Sequence, residues 1–251
     1  MLALFTDFGL QGPYVGLLKL ALANYAPQQP VIDLFHDVPP YDAQGAAYLL
    51  AAYVGEFSEK TVFLGVVDPG VGGKRAPLML QADKRWFLGP DNGLLNQVAT
   101  RAQQVQAWHI TWQPKRLSAS FHGRDLFAPV AAILATKTAS PDTLGIRMPF
   151  PFQSWPDDLA RIVYIDRYGN AMTGIRASSV GINAVIHIAG QRLMRARTFA
   201  EVAPGQSFWY ENSSGLVELA VNQGSAAAQL GLKPGDCLQI EGETFTRVGT
   251  E

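Results

Sequence analysis

Three short apolar runs, each followed by a stretch of polar turn residues and then a segment of helical period, constrain this chain more than any other feature of its sequence. Leu2-Ala3-Leu4-Phe5, Val31-Ile32-Asp33-Leu34-Phe35 and Thr61-Val62-Phe63-Leu64-Gly65-Val66-Val67 are apolar, partly β-branched and bounded by turn formers, the pattern of buried strands. Between them, residues 13–25 and 42–57 carry apolar residues at helical spacing. Pro13 suits a first helical turn and Asp42 can cap the second helix. Strand–helix–strand alternation predicts an α/β domain over residues 1–150, a mainly parallel sheet with flanking helices.

Pro149-Phe150-Pro151-Phe152 and Trp155-Pro156 break this pattern, since prolines so closely spaced neither continue a helix nor sit centrally in a sheet. The domain boundary is placed there, with 151–159 as linker and 160–251 as a second domain. Short strand-like runs at 161–166, 184–188, 207–210 and 216–221, separated by Gly, Asn and Ser, predict a small, mostly β domain. Residues 224–236 resemble the end of a PDZ domain, but too little β-structure of the right order precedes them. The plainer reading is a short helix, a Pro-Gly turn and a return strand.

Hydrophobic residues make up 48% of the 251 and charged residues 16%, enough for a sizeable core and too apolar for disorder. The net charge of −1, without a basic block, excludes nucleic acid and anionic membrane as the expected partner. Cys237 is the single cysteine, so no intrachain disulfide and no cysteine-based zinc site can form. No signal peptide and no run of about 20 apolar residues is visible, and the expected place is the cytoplasm.

Ligands of parallel α/β sheets collect where strand ends lead into helices. The segments there are Thr6-Asp7-Phe8-Gly9, His36-Asp37-Val38-Pro39-Pro40-Tyr41-Asp42 and Asp68-Pro69-Gly70-Val71-Gly72-Gly73-Lys74-Arg75, joined later by Gly89-Pro90-Asp91-Asn92-Gly93 and Phe121-His122-Gly123-Arg124-Asp125. Carboxylates, a histidine, arginines and glycines thus recur at one rim and predict a pocket. Each also has a plainer role. Asp7 can equally cap a helix, Asp68-Pro69-Gly70 is a common turn without the Lys-Ser/Thr ending of a P-loop, and a single histidine is more often structural than catalytic. His36, His109 and His187 lack metal-ligand spacing and are expected to be structural, and no metal site is expected.

Taken together these segments resemble the S-adenosylmethionine (SAM) hydroxide adenosyltransferases, the SAM hydrolase family related to fluorinases and chlorinases. The likeness is carried by Thr6-Asp7-Phe8-Gly9, by the Asp68-Pro69-Gly70-Val71-Gly72 turn through Arg75, by Gly89-Pro90-Asp91-Asn92-Gly93, by Phe121 to Pro129, by Ile165-Asp166-Arg167-Tyr168-Gly169-Asn170, by Asn212-Ser213-Ser214-Gly215 and by Ala220-Val221-Asn222-Gln223-Gly224, in the family's order. The resemblance implies an α/β domain followed by a β-barrel, and homotrimers that hold the ligand between subunits. It implies that Asp68, Arg75 and His122 activate water, that Asp7 holds the ribose diol, and that Phe8 and Tyr41 line the ligand. Asp166 would meet the methionine ammonium and Ser213 and Ser214 its carboxylate, with Asn170, Asn222 and Gln223 against the adenosine. SAM is then substrate, with no further cofactor.

The implied chemistry is hydrolysis of SAM to adenosine and methionine by water attacking ribose C5′. A sulfonium leaves without help from an acid or metal, so the difficulty lies with water, for which a carboxylate or imidazole can accept the proton and a guanidinium can hold developing hydroxide. Sequence does not decide between Asp68 and His122 as base. One alternative is a halogenase, but Asp68 stands where halide-using relatives have tyrosine and Gly123 where they have serine, and a carboxylate repels halide. Another is a protein that binds SAM or adenosine without turnover, which would have no use for a water-activating set.

Overall fold

The computed structural model describes residues 1–241, which fall into two compact units, Met1–Gln153 and a second beginning at Ser154. Seven strands form the sheet of the first: β1 (Leu2–Thr6), β2 (Val31–Phe35), β3 (Val62–Val66), β4 (Pro77–Ala82), β5 (Arg85–Pro90), β6 (Val105–Ile110) and β7 (Gly145–Met148). Their order is β2-β1-β3-β5-β4-β6-β7. The pairs β2–β1, β1–β3 and β3–β5 are parallel, whereas β5–β4, β4–β6 and β6–β7 are antiparallel.

The sheet is therefore mixed rather than mainly parallel, and the cause is local. Only residues 83 and 84 separate β4 from β5, and so short a link turns a strand back beside its neighbour; a parallel return needs a crossover of a dozen residues or more. Asp83 adopts φ 53° in that turn and its carboxylate accepts the N–H groups of Gln103 and Gln104. A second departure is β2, whose Ile32 is 41% exposed because the strand lies at the sheet edge with one neighbour.

Strand alternation sends side chains to two faces. Leu2, Leu4, Leu64, Val66 and Leu88 share one buried cluster with Leu18 and Leu22 of α1 (Tyr14–Tyr25) and Val130 and Ala131 of α4 (Ala128–Thr136). On the other face Phe63 and Phe87 stack at 4.8 Å, and Phe5 meets Phe35, which in turn meets Tyr53 of α2 (Ala43–Tyr53). As the sequence suggested, Asp42 caps α2: its Oδ1 accepts the Gly45 N–H at 2.8 Å.

The second unit is built from antiparallel pairs. A four-stranded sheet runs Ser207–Glu211 (β12), Leu216–Val221 (β13), Ala171–Arg176 (β9), Leu159–Ile165 (β8); a three-stranded sheet runs Gln191–Leu193 (β11), Ile186–Ile188 (β10), Gln239–Ile240 (β14). Both contribute to one core around the buried Trp209, whose indole N–H reaches the Ala184 carbonyl at 3.0 Å. Residues 224–236 hold a short helix, Ala226–Leu230, capped by Ser225 and closed by Gly231 in the left-handed region, ahead of β14. Among the described residues no helix is long and apolar enough to cross a membrane.

The Asp42 cap yields a stability prediction. Asp42→Ala should lower the unfolding free energy of the first unit by about 1 kcal/mol, and Asp42→Asn by much less, since asparagine caps equally well. Urea denaturation followed by circular dichroism checks both.

Candidate active site

Parallel pairing brings the carboxyl ends of β1, β2 and β3 side by side, with Thr6 opposite Val66 and Phe5 opposite Phe35. The three following loops leave the sheet together. Gly9 N–H bonds the His36 carbonyl at 2.6 Å, and Asp7 N–H reaches the Val66 carbonyl at 3.4 Å. Beneath them the buried His36 links Thr6 Oγ1 (Nδ1, 2.8 Å) to Asp33 (Nε2, 3.1 Å), and Thr6 Oγ1 accepts the Phe8 N–H at 3.3 Å. Asp33 is an acceptor, so Nε2 carries the ring proton and Nδ1 takes the threonine proton. His36 is structural, as expected, and it holds the turn that carries Asp7.

The central cluster comes from two loops. Arg75 Nε donates to both oxygens of Asp68 at 3.0 Å, and Arg75 Nη2 donates to Asp68 Oδ2 and, at 3.0 Å, to His122 Nδ1. The Asp68 side chain is 4% exposed and that of Arg75 10%. Arg75 also lies over the Phe127 ring, 5.5 Å from its centroid. The loops meet because Gly72, at φ +76°, has no side chain: a Cβ there would collide with the Ala119 carbonyl oxygen. Arginine has no acceptor, so the His122 Nδ1 lone pair is engaged and its proton sits on Nε2. Burial, followed by the Arg75 charge, holds the His122 pKa below the usual histidine value, against the opposing charges of Asp68 and Asp125.

Aromatic rings wall this cluster. Phe8, Tyr14 and Phe121 meet one another at 5.6–6.0 Å, and Arg124 covers Phe121 while pairing with Asp125. Gly123 opens a π-helical turn ahead of α4, an irregularity frequent at functional sites. A Cβ at Gly123 would touch Phe8 Cζ at 3.3 Å, so the place is shaped by ring edges rather than a hydroxyl. Asp7 caps no helix; its Oδ2 accepts the N–H of Tyr41, an exposed residue at φ 67°. Burial raises the Asp7 pKa, two backbone hydrogen bonds oppose this, and the charge of Asp68 adds to the rise.

The candidates of the second unit occupy its turns. Asp166 Oδ1 accepts the N–H groups of Tyr168 and Asn170 at 2.8 Å, and its Oδ2 accepts the Asn170 amide at 3.0 Å. This turn abuts Ser225, and the Gly169 carbonyl accepts the Ala227 N–H at 2.9 Å. Asn222 directs its amide to the Val202 carbonyl, while Gln223 is exposed at φ 56°. Ser213 is exposed; the Ser214 hydroxyl donates to Asn212 Oδ1 at 2.8 Å. Asn212 in turn donates to Glu218, a buried carboxylate that motif reading passed over, although an acid in the apolar strand Leu216–Val221 was itself a signal. Among the described residues no group of His, Cys, Asp or Glu is arranged to hold a metal ion.

Family models and known relatives identify the family of the chain. The SAM hydroxide adenosyltransferase N-terminal domain matches residues 2–145 and the C-terminal domain of that family residues 160–239. The chain is similar to the (R)-S-adenosyl-L-methionine hydrolase of Thermus thermophilus, at 39% identity over 92% of this chain and 95% of that one. A protein of the same name from Salinispora tropica is 37% identical over 94% and 95%. Among solved structures, an uncharacterized conserved protein from Thermotoga maritima superposes with a TM-score of 0.86 at 30% identity, covering 96% of this chain and 99% of that one.

The cluster also makes a titration prediction. In wild type His122 should protonate below the usual histidine value, and Arg75→Met should move its pKa upward, because a repelling cation goes and Asp68 stays. A depressed folded-state pKa contributes stability that is present above the unfolded value and lost as pH falls through the folded one. NMR of the imidazole protons checks the shift and its sign.

Proposed function

Because the chain belongs to the SAM hydroxide adenosyltransferase family, we propose that the Asp68–Arg75–His122 cluster is where it hydrolyses S-adenosyl-L-methionine to adenosine and L-methionine. Water oxygen bonds to ribose C5′, the C5′–sulfur bond breaks with its electron pair going to sulfur, and the sulfonium leaves as the neutral thioether of methionine. The proton released from water must be taken up, and that is the work of the cluster.

The observation that carries the assignment is the single guanidinium shared by Asp68 and His122. With Nδ1 engaged by Arg75, His122 presents only Nε2–H and orients water as a donor. Asp68 Oδ1 accepts one of the three Arg75 bonds and keeps a lone pair, so Asp68 is the proton acceptor. Arg75 holds that carboxylate and steadies charge developing on oxygen. Halide suits the place less well, since an anion would stand against Asp68.

Asp7 accepts from the ribose diol, with Phe8 and Tyr41 lining the ligand. Asp166 faces the methionine ammonium and the Ser213–Ser214 turn its carboxylate, Ser213 being the better placed because the Ser214 hydroxyl proton is directed at Asn212. Asn170, Asn222 and Gln223 lie toward the adenosine, Asn222 through its backbone. We read the second unit as a barrel. Support comes from backbone bonds at the edges of its sheets: Ile162 N–H to Asp236 O and Leu238 N–H to Ala160 O on one side, Ala196 N–H to Trp209 O and Trp209 N–H to Met194 O on the other. The assembly we read is a homotrimer with sites completed by a neighbouring copy, in the cytoplasm, needing no cofactor besides its substrate.

Incubation with SAM in halide-free oxygen-18 water should give adenosine labelled at its 5′ oxygen and unlabelled methionine. Asp68→Asn should lower kcat by about 10²- to 10⁴-fold while KM stays near wild type. Unlabelled adenosine, or an Asp68→Asn variant of full activity, would remove the assignment. Light scattering should return three times the 27.2 kDa chain mass; a fully active monomer would exclude the shared site.

A further inference from the structure

Glu218 is a buried carboxylate that the water-activating cluster does not use. It sits in β13, between apolar neighbours, at 2% exposure. Burying a carboxylate costs several kcal/mol unless hydrogen bonds offset it, and a strand reading Leu-Val-x-Leu-Ala-Val would pack well with an apolar residue there. The two bonds that offset the cost are specific. Oε1 accepts the hydroxyl of Tyr210, its cross-strand partner, at 2.7 Å, and Oε2 accepts the Asn212 amide N–H at 2.7 Å.

The second bond has a consequence beyond its own energy. An asparagine amide has a donor end and an acceptor end of nearly equal size, so its orientation is set by its partners. Asn212 Oδ1 accepts three bonds, from Ser214 N–H at 3.0 Å, Ser214 Oγ–H at 2.8 Å and Leu216 N–H at 3.0 Å. Glu218 Oε2 accepts from the NH2 end of Asn212, which keeps that end toward Glu218 and the oxygen toward those three donors. The Asn212 N–H bonds the Leu216 carbonyl, and the Gly215 N–H bonds the Asn212 carbonyl. The turn that exposes Ser213 is thereby held in one conformation. Burial raises the Glu218 pKa, and the charge of Asp166 adds to the rise.

We propose that Glu218 is a positioning residue for recognition of the amino-acid end of the substrate: through the Asn212 amide it locks the 212–216 turn in the form that presents Ser213 to the methionine carboxylate. This rests on that turn being the carboxylate site. Glutamine at 218 keeps the shape but replaces a charged acceptor with a neutral one, so it holds the Asn212 N–H2 less firmly. The turn then loosens while the chemistry at C5′, carried by the other unit, is untouched.

The test compares two sulfoniums in wild type and Glu218→Gln: SAM, and 5′-deoxy-5′-(dimethylsulfonio)adenosine, which has the same reacting carbon but no amino-acid end. We expect KM for SAM to rise about tenfold with kcat within about twofold, and KM for the truncated sulfonium to stay put. Calorimetric Kd for SAM should rise in parallel. Equal losses on both compounds would mean a merely structural role and overturn the proposal, as would an unchanged KM and Kd for SAM. If Glu218→Gln does not fold by circular dichroism, Asn212→Ala is measured against the same two outcomes. Wild type that binds SAM without releasing adenosine would refute the hydrolase reading instead, and the Kd comparison would still decide the role of Glu218.

Discussion

The guanidinium of Arg75 is the constraint on which the candidate site depends. It donates to Asp68 through two nitrogens and to His122 through one of these, and it can accept nothing in return. One side chain therefore settles the rotamer of Asp68 and the tautomer of His122, and its charge adds to the larger effect of burial in lowering the His122 pKa. A buried ion pair of this kind contributes little net stability once desolvation is counted, and its value lies in fixing geometry. That geometry in turn depends on Gly72, whose missing side chain lets the loop after β3 lie against the Ala119 carbonyl.

Chemistry explains the economy of the site. On the proposed reading, a sulfonium needs neither protonation nor a metal to depart, which leaves the polar groups of the first unit for the nucleophile and the ribose. Asp68, Arg75 and His122 form one set, Asp7 with its Tyr41 N–H another, and Phe8, Tyr14 and Phe121 wall the space near both. The turns of the second unit are of a different character. Asp166, Asn170 and Asn212 hold their own loops through hydrogen bonds, so any ligand they meet encounters preorganised groups.

Much of this was legible in the chain. The parallel half of the sheet, the Asp42 cap and the polar segments at the strand ends were readable because each is a local pattern of period, capping or turn chemistry. The antiparallel half was not: the 83–84 turn has neither Gly nor Asn to announce it, and the helical segments between β5 and β6 and between β6 and β7 do not by themselves say whether the next strand returns parallel or antiparallel. β2 read as buried because its composition is apolar, whereas its exposure follows from its edge position. The Thr6–His36–Asp33 relay joins residues up to thirty apart, so only pairing of β1 with β2 reveals it.

Sequence alone determined the α/β character of the first 150 residues, the mostly β character of the rest, and which titratable residues stand at strand ends, since periodicity and turn chemistry are properties of neighbours in the chain. Only the tertiary structure decided that Arg75 lies between Asp68 and His122, 47 residues distant from it, and so which ring nitrogen of His122 carries the proton. It alone revealed that Glu218, an acid within an apolar run, accepts the Asn212 amide. These are matters of hydrogen-bond direction between groups brought together by packing, and no linear pattern records which end of a donor meets which acceptor.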